Sequence, residues 1–361
     1  MQDKVLFAPM AFTRYEASQT LPEKFVRLLK KSGLAKKVKG KKVCIKMHVG
    51  SGIGYSTIPP VFARKLADFV KESGGECFFT DHYVASRHPE NRGYTEEALG
   101  APVIDDCGYF GKYFYTKEVD FKGLKHIDIA GHVHDADFFI DFSHAKGHGV
   151  CGFGGACKNI AMGCVTDRTR RQLHGLEGGL EWNEQACIHC NKCIDACNHY
   201  ANGFKDGKYK INYHNCTLCR HCVKVCPKNA IEMRTDGYFD FQKGMAIATR
   251  EVLDIFGEEN VYFINVLTQI TALCDCWGMT TPSLVPDIGI VAGEKIVSVE
   301  QASLDLIKFE NLIKEGVPAG KELGEKGHLF ERLHGKDPFV QVAALEAEGL
   351  GSREYEFEII K

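Results

Sequence analysis

Several features are missing from this 361-residue sequence, and each absence excludes a class of function. No run of about 18 apolar residues occurs, so the sequence predicts no membrane span. The 45 Lys and Arg residues nearly balance the 47 Asp and Glu residues, and the formal net charge of −2 predicts no surface for nucleic acid. Neither a complete dinucleotide fingerprint nor a P-loop is present, so the sequence assigns no flavin or nicotinamide cofactor.

Cysteine, in contrast, is abundant, with 16 residues, and eight of them form two copies of the spacing C-x2-C-x2-C-x3-C. The first copy consists of Cys187, Cys190, Cys193 and Cys197, and the second, 29 residues later, of Cys216, Cys219, Cys222 and Cys226, followed by Pro227. This is the spacing of two-cluster bacterial ferredoxins, in which three thiolates bind one cluster and the fourth binds its neighbour. The sequence therefore predicts two 4Fe-4S clusters, one on Cys187, Cys190, Cys193 and Cys226, the other on Cys216, Cys219, Cys222 and Cys197.

Zinc and disulfides are the alternatives for a cysteine-rich chain. Zinc usually takes four ligands from two separated C-x2-C pairs, and the tight third cysteine fits a cubane better. Disulfide frameworks are typical of small secreted domains, and this sequence does not begin with an apolar signal segment. We therefore expect a cytoplasmic, anaerobic protein. One departure from the ferredoxin pattern is Asn198 after Cys197, where proline is usual.

Outside the cysteine repeats, strand and helix patterns alternate, which predicts an α/β body with a mostly parallel sheet. Strands are predicted at 42–49, Glu76–Asp81, 136–142, 261–270 and 287–291, and helices at 59–73, 242–256 and 299–308. The same alternation of strand and helix patterns precedes and follows the repeats. We therefore predict a ferredoxin-like α+β domain at 181–236, inserted between body segments 1–180 and 237–361, with a hairpin turn at Asp206-Gly207.

A loop of the body carries the first chemical candidates. His144, Lys146 and His148 follow a predicted strand, where α/β sheets hold their ligands, and we expect catalytic roles for them. Gly154, Gly155 and Lys158 lie at the start of a predicted helix, whose free N–H groups and lysine are expected to bind an anionic substrate. The alternative is a glycine loop that only packs against the inserted domain. Lys46, His48, Asp81 and His82 end or follow other predicted strands, so they could face the same crevice.

Cys274 and Cys276 flank Asp275 after another predicted strand. Two thiols beside a carboxylate can ligate a soft metal, so an additional metal site is a second candidate. The alternative is that both cysteines are small buried apolar residues, as free cysteines commonly are.

Several segments together resemble the iron-sulfur family named domain of unknown function 362. They are KGHGVCGFGGACKN, the double cysteine repeat, CDCWG followed by PDIGIVAG, EQASLDL and GLGSREYE. The resemblance implies an α/β body with a ferredoxin insertion, and no known reaction. Glu294-Lys295 departs from the aspartate-proline pair expected before EQASLDL, so any role of that pair is in doubt here.

Three functions fit these patterns. The first is an oxidoreductase or redox subunit that conducts electrons from a redox partner protein, through two clusters, to a small-molecule substrate or metal in the body. The second is a plain electron carrier, for which the Lys and His loop would be superfluous. The third is a metallocofactor maturation protein that holds metal at Cys274 and Cys276. The sequence does not specify the oligomeric state.

Overall fold

The computed structural model describes residues 2–82, 87–197, 200–212, 216, 221–233, 237–318 and 320–361. The strands are β1 Asp3–Pro9, β2 Lys42–Lys46, β3 Glu76–Asp81, β4 Val103–Asp105, β5 Phe114–Phe121, β6 Leu124–Ala130, β7 Phe138–His144, β8 Lys146–His148, β9 Gly152–Gly154, β10 Leu180–Trp182, β11 Asn202–Lys205, β12 Lys208–Ile211, β13 Ile231–Met233, β14 Val261–Leu267, β15 Gly289–Gly293 and β16 Tyr355–Ile359.

The helices are α1 Leu21–Lys31, α2 Leu34–Val38, α3 Pro60–Glu72, α4 Glu96–Leu99, α5 Gly131–His134, α6 Ala156–Gly163, α7 Asp167–Leu176, α8 Lys192–Asp195, α9 His221–Lys224, α10 Gly237–Leu253, α11 Ile296–Leu306, α12 Leu329–His334 and α13 Phe339–Ala347. Among the described helices, none combines the length and hydrophobicity that a bilayer crossing needs.

An eight-stranded sheet in the order β16-β1-β15-β14-β7-β2-β3-β4 forms the body. Every pairing in it is parallel except those of β15, which is antiparallel to β1 and β14. The prediction of an α/β fold with a mostly parallel sheet is therefore confirmed. Strand β15 runs the opposite way because the chain returns from β14 through 268–288 without a crossover helix, and parallel pairing needs such a crossover.

Helices cover both faces of this sheet, and each face has its own apolar core. Helices α1 and α3 bury Phe25 and Leu66 on one face, and α6, α10 and α11 bury Ile160, Met245 and Val299 on the other. Strand β7 is buried at all seven positions. A central strand of a sheet that is covered on both faces is buried along its whole length. The polar residues at the end of β7, Ser143 and His144, are therefore buried as well.

The cysteine repeats form a small unit with pseudo-twofold pairing. Strand β10 pairs with β13 and β11 with β12, so each sheet joins the first strand of one repeat to the last strand of the other. The predicted hairpin turn is present, and Asp206 and Gly207 both have positive φ, 53° and 73°. Tyr209 and Ile231 pack with Cys193 and Cys222 in an apolar cluster separate from the two cores of the body.

Candidate functional site

A small polar crevice lies at the carboxyl ends of β2, β3 and β7. Its cavity has a volume of about 40 Å³. It is lined by residues from four parts of the chain: Lys46, His48, Asp81, Arg87, Lys146, Lys158, Asn159, Met162, Gly163, Arg170, Cys274 and Cys276. Five of these side chains are lysine or arginine and one is aspartate. A crevice with this balance of charge favours a small anion over a cation.

A buried ion pair forms the floor of the crevice. Lys46 Nζ lies 2.9 Å from Asp81 Oδ1 and donates to Asn159 Oδ1 at 2.7 Å. The Lys46 and Asp81 side chains are 1% and 2% exposed. Burial opposes ionisation of Asp81, but the charges of Lys46 and Arg87 and the hydrogen bond from His48 hold its pKa well below the ordinary value.

Gly163 at the end of α6 gives Lys46 the room it needs. A Cβ at this glycine would lie 2.5 Å from Lys46 Cε and 2.6 Å from Lys46 Nζ. A side chain at residue 163 would displace the end of Lys46, so the glycine leaves the space that the Lys46–Asp81 ion pair occupies.

His48 has the arrangement of a proton acceptor. Its Nδ1 lies 2.8 Å from Asp81 Oδ2, which also accepts from Val49 N, so this nitrogen donates and carries the proton. Burial lowers the pKa of His48, although Asp81 acts in the opposite direction. His48 Nε2 is buried without a hydrogen-bond partner among the described residues. A neutral imidazole with a free lone pair therefore lines the crevice.

His144 has no free ring nitrogen. Its Nδ1 lies 2.8 Å from Asp275 Oδ2, and its Nε2 lies 2.9 Å from the Thr268 carbonyl oxygen. Lys146 Nζ is 3.6 Å from Asp275 Oδ2 and donates to the His144 carbonyl. Burial would raise the pKa of Asp275, but the charges of His144 and Lys146 lower it to about 2. His144 therefore positions Asp275 and the loop, and the predicted proton transfer suits His48 better.

The thiols of Cys274 and Cys276 meet His148 at one side of the crevice. One ligand atom from each of these residues lies within 4.8 Å of the other two. The Cys276 side chain holds the pKa of Cys274 well below the ordinary value; burial opposes this shift, and Lys146 and His148 support it. Burial, with the charge of Lys158, lowers the pKa of His148 to about 4. His148 therefore lies close to a thiol whose pKa is lowered, and the pKa of His148 itself is lowered as well.

The hydrogen bonds of His148 decide which of its nitrogens can bind a ligand. Val150 N and Cys151 N donate to His148 Nδ1 at 3.1 and 3.3 Å. Because this nitrogen accepts, the neutral ring carries its proton on Nε2. In a ligating histidine, the ring nitrogen that does not bind metal usually donates its N–H to an acceptor. In His148, the corresponding nitrogen, Nδ1, accepts hydrogen bonds instead. It is therefore poorly suited to join Cys274 and Cys276 as a metal ligand through Nε2.

The expected anion site at Gly154 and Gly155 is occupied by the protein itself. Ala156 N, at the start of α6, donates to Glu300 Oε1 at 2.7 Å. A Cβ on Gly155 would lie 2.3 Å from the same oxygen. The glycine therefore admits the buried Glu300 carboxyl group, and the expectation that these glycines bind an external anion is corrected. The hairpin of β8 and β9 is buried, with Lys146 paired to Gly154.

Lys158 on α6 lines the crevice. It has no hydrogen-bond or ion-pair partner within the part of the chain that the structure describes. This lysine is the predicted anion ligand that remains available. A larger cavity, of about 530 Å³, is lined mainly by residues 10–22 and 268–269. Its lining is mostly apolar, so it lacks the chemistry of the crevice.

Sequence reasoning gave little weight to the floor of the crevice. Asn159 connects it to a second buried carboxyl group, because its Nδ2 donates to Asp141 Oδ1 at 2.8 Å. Arg87 and Arg170 were not singled out for this crevice either. The signal that could have revealed the floor was Lys46, a charged residue that stands between the apolar residues 43–45 and Met47 in a predicted strand. His82, also considered for the crevice, instead binds Asp106 at 2.9 Å.

None of the described cysteines of the two repeats forms a disulfide, so their sulfurs can act as cluster ligands. Cys193, Cys216 and Cys222 are buried, Cys187, Cys197 and Cys226 half-buried and Cys190 exposed. Ala201 N donates to Cys197 Sγ at 3.3 Å, and Ala230 N donates to Cys226 Sγ at 3.2 Å, the same bond in both repeats. Cys219 lies outside the described residues.

Known proteins resemble parts of this chain. The protein NrfC of Escherichia coli K12 is 26% identical over 160 residues, which cover 39% of this chain and 68% of NrfC. NADH-quinone oxidoreductase subunit I of Pelobacter propionicus is 30% identical over 82 residues, 19% of this chain and 44% of that protein. A component of the ion-translocating oxidoreductase complex of Methanosarcina acetivorans is 39% identical over 51 residues, 14% of this chain and 19% of that protein.

Two solved structures also match. A protein of Thermotoga maritima aligns with a TM-score of 0.38 and 12% identity, over 70% of this chain and 52% of that one. The lactate racemase apoprotein of Thermoanaerobacterium thermosaccharolyticum aligns with a TM-score of 0.37 and 11% identity, over 81% of this chain and 54% of that one. The chain thus spans about half the length of each. The sequence model of a family described as "Domain of unknown function (DUF362)" matches residues 43–305, most of the chain, and the protein therefore belongs to the DUF362 family.

Proposed function

We propose that this protein is an iron-sulfur oxidoreductase or redox subunit that passes electrons from a redox partner protein to a small anionic substrate in the crevice. The duplicated cysteine pattern, folded as a pseudo-twofold unit, carries the proposal. Two relatives that match parts of the chain are named as oxidoreductase subunits, which supports a redox role.

The residues of the repeats fit two 4Fe-4S clusters. Cys193 lies on α8 and Cys222 on α9, and the last cysteine of each repeat accepts a backbone N–H bond of the kind that tunes cluster potentials. We propose that Cys226 completes the cluster of the first repeat and Cys197 that of the second; the pairing of β10 with β13 and of β11 with β12 supports this exchange. When bound, such clusters supply one-electron transfer. We propose the inserted domain at 181–236, with the body at 1–180 and 237–361.

The crevice supplies charge and protons. Lys158 binds the anion, and Lys146, held by Asp275, adds a second positive charge. His48 exchanges a proton with the substrate through Nε2, since Asp81 holds its other nitrogen. A cavity of about 40 Å³ admits only a group of a few heavy atoms. The substrate, or its reacting end, is therefore a small anion.

Metal counting tests the clusters first. Protein purified without oxygen should contain about eight irons and as many sulfides, and its reduced form should give EPR signals of 4Fe-4S centres. Cys190→Ala should lower the iron content, and Cys77→Ser, a half-buried cysteine of β3, should leave it unchanged. Stoichiometric zinc without sulfide would refute the proposal.

Binding tests the crevice next. Lys158→Gln should weaken the binding of small carboxylates or oxyanions, measured by calorimetry, and Lys71→Gln on α3 should not. His48→Gln should slow reoxidation of the reduced protein by such an anion without lowering iron content. If both crevice variants reoxidise like the wild type, the protein is a plain electron carrier.

A metallocofactor maturation role is the second candidate. The observation that favours it is the convergence of the Cys274 and Cys276 thiols, whose sulfurs lie within 4.8 Å of each other. An additional soft metal ion held by the two thiols, and released to an acceptor protein, would support that role.

A further inference from the structure

The pair Cys274 and Cys276 has more donors and charge around it than packing requires. Cys276 N lies 3.5 Å from Cys274 Sγ and donates to it. His148 carries a proton on Nε2, because two backbone N–H groups occupy its Nδ1, and one of its ring nitrogens lies within 4.8 Å of both sulfurs. Lys146, 3.6 Å from Asp275, adds a positive charge beside the sulfur of Cys274. These groups stabilise a thiolate, the reactive form of cysteine.

The two sulfurs are also close to each other and reachable. They lie within 4.8 Å of each other, and a disulfide needs a separation of about 2.0 Å, so the sulfurs have to approach each other by less than about 3 Å to form the bond. Cys274 is buried and Cys276 half-buried, and both line the crevice. Thiol–disulfide exchange requires a thiolate and a second thiol within reach of it, and the two cysteines supply both.

We infer that Cys274 and Cys276 form a dithiol/disulfide couple that holds the electron pair used in the crevice. This inference rests on the proposed function and names its electron-accepting group. The disulfide takes up two electrons, each from a one-electron iron-sulfur donor, and one proton. The S–S bond breaks, Cys274 is left as a thiolate and Cys276 as a thiol. Return of both electrons to a small anionic two-electron oxidant releases that proton and reforms the bond.

The couple explains why His148 and Lys146 surround Cys274. His148 donates to the thiolate, and Lys146 compensates its charge, so both stabilise the reduced state. They are positioning residues, since neither exchanges electrons. Lys146→Gln and His148→Gln should each slow alkylation of Cys274 several-fold at neutral pH, with iron content unchanged.

One proteolytic fragment isolates the couple. Trypsin cuts after Arg250 and Lys295, and the peptide 251–295 contains Cys274 and Cys276 as its only cysteines. Anaerobic protein is equilibrated in mixtures of reduced and oxidised dithiothreitol, quenched in acid, alkylated with N-ethylmaleimide and digested. The peptide should carry two labels after reduction. After oxidation it should carry none and be lighter by two hydrogens, whereas Cys276→Ser should keep one label throughout.

The electron route is tested separately. Dithionite, a one-electron donor, should open the disulfide in the wild type and in Cys77→Ser, but not in Cys190→Ala. Dithiothreitol should open it in all three. If the protein lacks iron and the peptide still cycles with dithiothreitol, the couple stands and the electron route of the proposed function fails. If clusters are present and the peptide keeps two labels in every mixture, or is protected by one equivalent of zinc, the inference is overturned.

Discussion

The buried pair of Lys46 and Asp81 should be the most sensitive point of the crevice. Lys46→Met keeps the volume of the side chain and removes its charge. It leaves Asp81 ionised, 2% exposed, with only His48, Val49 N and the more distant Arg87 as partners. Breaking a buried pair by removing one partner costs roughly 3–5 kcal/mol. Because the remaining donors compensate part of the charge, we expect the free energy of unfolding to fall by about 3 kcal/mol.

A surface pair of the same length provides the control. Lys65 Nζ lies 2.9 Å from Glu23 Oε1, the distance found in the buried pair, but these side chains are 28% and 45% exposed. Lys65→Met should cost less than about 1 kcal/mol, because water screens an exposed pair. The comparison separates the effect of burial from that of distance.

The chain offers a convenient reporter for the measurement. It has two tryptophans, Trp182 among the repeats and Trp277 beside the crevice. In a Trp182→Phe background, the fluorescence of Trp277 follows denaturant unfolding of the body under anaerobic conditions. The double variant Lys46→Met/Asp81→Asn should cost about 1–3 kcal/mol less than the sum of the single variants. Single costs below about 1 kcal/mol, or strict additivity, would refute the reasoning.

Two further predictions concern a buried carboxyl group and a close backbone approach. Burial raises the pKa of Asp141 to about 7, well above the unfolded value of about 3.9, so its contribution to stability is complete below about pH 4 and is lost as pH rises through 7. Asp141→Asn should therefore remove a decline of up to about 4 kcal/mol across this window, measured by denaturation at several pH values; an unchanged pH profile would contradict this. Gly52 has a φ of +54°, and a Cβ there would lie 2.4 Å from the Gly278 carbonyl oxygen, so Gly52→Ala should destabilise the crevice loop. Gly111→Ala, at a φ of +62° with nothing within 4 Å, is the control, and equal melting temperatures for the two variants would show that the contact is unimportant.

Local patterns predicted the elements of the body well. The strand Glu76–Asp81 was predicted with its observed bounds, and the helix predicted at 59–73 is Pro60–Glu72. Strand β1 and the hairpin of β5 and β6 were not identified. Strand β5 is mostly exposed, with charged residues between its aromatics, so its sequence shows no apolar face from which to recognise it.

The pairing of β15 could not be predicted from its sequence. Gly289–Gly293 is a buried apolar run, which is typical of a central strand in either direction. Its direction depends on the path of 268–288, a segment whose fold is set by contacts with other parts of the chain. One of those contacts is Ile53 N to the Gly278 carbonyl, at 2.9 Å.

The sequence by itself indicated that the cysteine repeats bind iron-sulfur cofactors, because metal ligation within a repeat depends on residues only a few positions apart. It also indicated which loops follow strands and carry charge or thiols. Only the tertiary structure decided which of those side chains have hydrogen-bond partners inside the protein and which remain available to a ligand. It occupied both nitrogens of His144, left one free on His48, and placed Glu300 where an external anion was expected. These outcomes depend on hydrogen bonds between residues up to 144 positions apart, and no local pattern encodes such partners.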